Sequence, residues 1–171
     1  METHLFRSRI RAHFNGVHQP LATELVEDDG FDVLDKQLAL KHFRGKSWQD
    51  HLEYLRSIEN HETLGAAYML EEWSVLQPTA IIYYSRAFLE HLLDLVELDD
   101  PDESYISAFF SELYQIIHSR GHELMSNAQV ETLRYAANCI TERIWAPSLD
   151  PEFGPTSALL FISELDSRRC E

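Results

Sequence analysis

Lysine is absent from this 171-residue chain beyond Lys46. Cysteine occurs twice, and glycine and proline six times each. Each scarcity closes a class of function. The chain carries 14 Lys and Arg against 29 Asp and Glu, a formal charge of −15, which sets it against phosphate backbones and anionic lipid. The imbalance is uneven. Residues 1–50 hold seven basic and eight acidic residues, while residues 51–171 hold seven and 21. Cys139 and Cys170 form no C-x-x-C and are too few for a disulfide framework, so a reducing compartment is expected. The closest two glycines stand 14 positions apart, so no glycine-rich loop exists to cradle a nucleotide phosphate. No apolar run approaches the ~20 residues that span a bilayer. Leu5-Phe6 gives way at once to Arg7-Ser8-Arg9, unlike a secretory leader. A cytoplasmic location is the expectation.

What is present is an ordinary globular composition, 44% apolar and 25% charged, of a length that suits one domain. Periodicity then predicts helices. Phe6, Ile10 and Phe14 line one side of Thr3–Phe14, with Arg7, Arg9 and Arg11 away from them. The polar stretch from Val17 to Gly30 reads as a loop. Phe31–Arg44 reads as a helix with Leu34, Leu38 and Phe43 on its apolar face and Gly45 as a left-handed cap. Ser47 with Asp50 approximates a capping box that opens the next helix, faced by Trp48, Leu52 and Leu55. Residues 59–76 fit a helical period better than an alternating one.

Pro78 takes the first position of the most apolar segment, Thr79–Leu98. That segment is apolar round more than half its circumference, which places it in the middle of a bundle. Asp100, Pro101 and Glu103 start another helix, with Ile106, Phe109, Phe110, Leu113, Ile116 and Ile117 as its face. Ser126 with Gln129 caps a last long helix, Asn127–Trp145, faced by Val130, Leu133, Ala137, Ile140 and Ile144. Leu159-Leu160-Phe161-Ile162 fits helix or strand equally, so a short β element near the C-terminus is an alternative to a closing helix. The expected fold is an all-α, single-domain bundle of about six to eight helices around residues 79–98.

Catalytic signatures are missing. No G-x-S-x-G, H-E-x-x-H or E-x-x-H occurs. His118 and His122 are four apart, but Gly121 between them ends the helix. Cys139 lies in a helical pattern and is expected to be a buried, inert thiol. Neither a metal nor an organic cofactor is expected. Trp48, Trp73 and Trp145 are core or interface anchors.

The feature that stands out is acidic. Asp94, Glu97, Asp99, Asp100, Asp102 and Glu103 place six acids in ten residues without a base. Asp100 and Glu103 suit a helix start, but Asp94 and Glu97 sit near a helix C-terminus, where the dipole disfavours anions. Glu27, Asp28 and Asp29 form a second patch.

Three stretches carry a family likeness: Phe43-Arg44-Gly45-Lys46-Ser47-Trp48; Leu76-Gln77-Pro78-Thr79-Ala80 running into Tyr83-Tyr84 and Phe88-Leu89; and Met125-Ser126-Asn127-Ala128-Gln129 before Leu133. Over residues 40–145 the chain resembles a bacterial family of small helical proteins without an assigned activity. The resemblance implies a helical fold and supplies no catalytic residues.

The expected function is non-catalytic binding of a basic protein, in the form of an immunity-type inhibitor that neutralises a cationic toxin or effector such as a nuclease. The two acidic patches are the expected contact. An enzyme with a cryptic His/carboxylate site, metal-assisted or not, is the alternative. A scaffold or homodimer joined through an apolar patch around Trp73 or Trp145 is the third reading.

Overall fold

The computed structural model describes residues 3–26, 33–57, 72–73, 75–97, 109–111, 113–114, 125–140, 162–163 and 166–167. Among these the architecture is all-α. Five helices have their bounds in view: α1 (Thr3–Phe14), α2 (Val33–Phe43), α3 (Trp48–Ser57), α4 (Pro78–Glu97) and α5 (Asn127–Ile140). A 3-10 turn covers Ala22–Glu24 in the loop between α1 and α2. No strand occurs among the described residues, only one isolated antiparallel bridge between Val26 and Leu76.

α4 is the centre, as its composition requires. Thirteen of its 20 residues are buried. It packs against α3 on one side and α1 on another, and α1 in turn contacts α5. α1 buries the expected stripe, Phe6, Ile10 and Phe14. α3 buries Leu52 and Leu55, while Trp48 stays half-buried. Trp73 is fully buried, with its ring stacked near Phe88 at 4.9 Å and Phe109 at 5.8 Å between centroids. It is therefore a core anchor and has no surface to offer a second copy of the chain. Trp145 lies outside the described residues.

Local signals place the helix ends. Gly45 adopts φ +71°, the left-handed conformation that glycine tolerates without the Cβ clash. The Ser47 backbone N–H donates to Asp50 Oδ2 at 2.6 Å, and the Asp50 N–H donates to Ser47 Oγ at 3.2 Å, closing the capping box. The Ser47 hydroxyl also donates to Asp50 Oδ2 at 2.7 Å, and it first, then the Ser47 N–H, holds the Asp50 carboxyl below its usual range. Ser126 and Gln129 repeat the reciprocal pattern at 2.8 and 3.3 Å. Pro78 begins α4, and Gln77 before it donates its N–H to Leu25 O at 2.7 Å. No described helix is long and apolar enough to cross a membrane.

Three expectations need correction. α2 does not turn Leu34 inward. Leu34 is 69% exposed, and the buried pair is Ala39 and Phe43. Leu34 stands five residues before Ala39, roughly 140° round the helix, so the two cannot share a face. The helix expected to run to Leu76 stops earlier, since Val75 is a turn and Leu76 pairs with Val26. The residue before a proline favours extended backbone, which ends helix before Gln77. At the C-terminal end, Ile162, Ser163, Asp166 and Ser167 are helical, against the β alternative. Ile162 packs on the core and Asp166 bonds Arg134 of α5. The predicted helix face at 106–117 is in view at Phe109, Phe110 and Leu113, all fully buried.

Candidate functional site

The expected acidic cluster divides between two settings. Asp94 faces two arginines delivered by other helices. Arg7 of α1 donates from Nη2 to Asp94 Oδ1 at 3.1 Å, and Arg56 of α3 donates from Nε to Asp94 Oδ2 at 2.7 Å. Its charge is thus matched within the chain. Glu97, 46% exposed, comes to 4.0 Å from Arg7. Asp99, Asp100, Asp102 and Glu103 lie outside the described residues, as do Glu27, Asp28 and Asp29.

Beneath Asp94 is a carboxylate that sequence reasoning passed over. Glu90, on the turn of α4 before Asp94, is 2% exposed. Arg7 Nη1 donates to its Oε2 at 2.7 Å, and Arg11 Nε stands 3.8 Å from Oε1. Burial works against the Arg7 cation, but the bonds and charges of Asp94 and Glu90 outweigh it and raise its pKa above the usual value. Arg7 therefore does not point to open water, the expected side of α1, while Arg11 stays 63% exposed. Their i, i+4 spacing on α1 matches the i, i+4 spacing of Glu90 and Asp94 on α4. That paired spacing was the available signal.

Arg7, Arg11 and Glu90 wall a cavity of about 340 Å³ between α1, α3 and α4. Arg86 and Arg56 complete it with Trp48, Gln49, Leu52 and Glu53 of α3. The Arg86 guanidinium carbon lies 3.7 Å from the centroid of the Trp48 ring, a cation–π contact. Arg86 Nε is buried and has no hydrogen-bond partner. Burial, first, and Arg11 beside it push the Arg86 pKa down, while Glu90 partly offsets this. A second cavity of about 200 Å³ lies nearer the N-terminal end of α4, lined by Val17, Pro20, Thr79 and Ile82 among others, and is mainly apolar.

Three of the histidines in view, His13, His42 and His51, serve the fold. His51 is 1% exposed, enclosed by the rings of Phe43, Tyr84 and Phe88, and neither ring nitrogen has a hydrogen-bond partner. Burial, then the charges of Lys46 and His42, depress its pKa to about 3, so it stays neutral. His42 pairs through Nδ1 with Glu72, tying α2 to the segment before α4. His13 Nδ1 lies 2.7 Å from Thr132 Oγ1, whose own hydrogen goes to Ala128 O, so the imidazole is the donor. Among the described residues no three His, Cys, Asp or Glu side chains gather as a metal site would need. His61, His118 and His122 lie outside them. Cys139 is half-buried rather than enclosed, because it falls between the core positions Ala136–Ala137 and the exposed side of α5 at Asn138.

No family model, curated protein or solved structure matches the chain.

Proposed function

We propose that this chain is a non-catalytic binding protein that engages a basic protein partner, in the manner of an immunity-type inhibitor of a cationic toxin or effector. One observation supports this reading above the others. Three of the 14 cations, Arg7, Arg56 and Arg134, are each committed to carboxylates of the same molecule. Pairing removes charges two at a time and leaves the excess of 29 acids over 14 bases undiminished. The remaining negative field steers cations in and slows their escape. Asp94 is a positioning residue in this scheme, since Arg7 and Arg56 occupy it. The contact falls to Glu97, Asp99, Asp100, Asp102 and Glu103, with Glu27, Asp28 and Asp29 as the second patch.

The test is capture of partners from the source cell, followed by affinity measurement with the purified partner. A basic protein is retained in near-equal amount at low salt and weakened at high salt. The combined variant Asp99→Asn, Asp100→Asn, Asp102→Asn, Glu103→Gln loses roughly tenfold or more in affinity, mainly through slower association. A variant with unchanged affinity and salt dependence, or the absence of any basic protein at low salt, overturns the proposal.

A further inference from the structure

The groove between α1, α3 and α4 is lined by two carboxylates, Glu53 and Glu90, and one of its cations, Arg86, pairs with neither among the described residues. Four guanidiniums line it, from Arg7, Arg11, Arg56 and Arg86. Among the described residues Glu90 and Asp94 make every ion-pair contact there shorter than 4.0 Å. Arg11 and Arg56 reach those carboxylates through Nε, and their terminal nitrogens have no partner among the described residues. Arg86 makes neither a hydrogen bond nor an ion pair among the described residues, although its Nε is buried. Leaving a buried donor of a charged group unpaired is costly, and Glu90 and Asp94 are already taken up by Arg7, Arg11 and Arg56, so Arg86 is left for an anion from outside.

We infer that this groove binds a small molecule bearing a phosphate or a pair of carboxylates, held by Arg86, Arg56 and Arg11. The guanidinium fork matches the oxygens of either group bidentately. Arg7 is the fixed member, locked to Glu90 and Asp94 at 2.7 and 3.1 Å, and it keeps the floor rigid. Trp48 holds the Arg86 plane by stacking, which leaves the guanidinium edge free to donate. A cavity of about 340 Å³ admits a metabolite and not a folded chain. The net charge of −15 repels a long polyanion before it arrives, whereas a small dianion feels chiefly the local cations within a Debye length. This site is independent of the basic-partner reading, because it draws on the opposite charge.

Calorimetric titration of the full chain with inorganic phosphate, and separately with succinate, tests the site and distinguishes the two sources. One of the anions binds with one-to-one stoichiometry. Arg86→Leu weakens it roughly tenfold or more, and Arg86→Lys, which keeps the charge but not the fork, falls between. Arg44→Leu, at an exposed position beyond the end of α2, leaves the affinity unchanged. Circular dichroism checks the fold of each variant, and Arg56→Gln, at a 45% exposed side chain, replaces Arg86→Leu should the latter unfold. Absence of binding for both anions overturns the inference. So does binding that survives loss of the groove arginine, or that weakens equally in Arg44→Leu.

Discussion

His51 shows how much one buried side chain sets the behaviour of the molecule. Its folded pKa of about 3 lies below the ordinary value of 6.5, so the unfolded chain takes up a proton that the folded chain refuses. The stability it contributes is whole above pH 6.5 and is lost as pH falls toward 3. The loss is about 1.4 kcal/mol per pH unit, or about 2 kcal/mol at pH 5. His51→Phe removes that proton uptake and two unpartnered nitrogens from an aromatic pocket. Urea unfolding is expected to show the variant gaining about 2 kcal/mol on the parent between pH 7 and pH 5. A difference independent of pH would mean that His51 is not held neutral. The spacing of Trp48, His51, Leu52 and Leu55 puts this residue on the apolar face of α3, but a histidine there reads as polar and was passed over. Asp94 taught the converse: its neighbours in the chain are acidic, and the arginines that pair with it come from 87 and 38 residues away.

At the scale of elements, the legible parts were those written within four or five consecutive residues. The Gly45 cap, the Ser47–Asp50 and Ser126–Gln129 boxes and the Pro78 start all lie where their chemistry placed them. The rotation of α2 and the end of the helix before Val75 were not legible, since each answers to a distant partner: α2 to the packing of Phe43 on Tyr84 at 4.8 Å, and Leu76 to Val26. Tyr84 is the clearest link between the two kinds of information. Its hydroxyl lies 2.9 Å from Phe43 O and 2.8 Å from Lys46 O, so one O–H is shared by the carbonyls on either side of the α2–α3 turn. Burial, first, holds its pKa above the usual tyrosine value, and it remains a donor at any ordinary pH. Lys46 O keeps a second donor in Gln19 Nε2 at 3.0 Å, and Phe43 O keeps the Lys46 N–H at 3.2 Å. Tyr84→Phe is therefore expected to cost about 1–2 kcal/mol in chemical unfolding, toward the low end for a buried bond. A neutral result would show that those remaining donors suffice.

For the whole molecule, the charge of −15 acts on stability as well as on partners. Like charges crowd more closely in the folded chain than in the unfolded one, and added salt screens them. Moving from low to physiological ionic strength with sodium chloride is expected to raise the unfolding free energy by about 1 kcal/mol, read as a shift in urea midpoint. A fall in stability would mean that the Arg7, Arg56 and Arg134 pairs outweigh the repulsion. The packing of α1 also has a consequence in time. His13 meets Thr132 across 119 positions, and α1 rests on α4 and α5. A ribosome that adds 5–20 residues per second makes α5 roughly 6 to 24 s after α1 has been made. Through that interval Phe6, Ile10 and Phe14 have no finished surface to cover them, so the nascent chain holds an oily helix in reserve until synthesis of its last partner is complete.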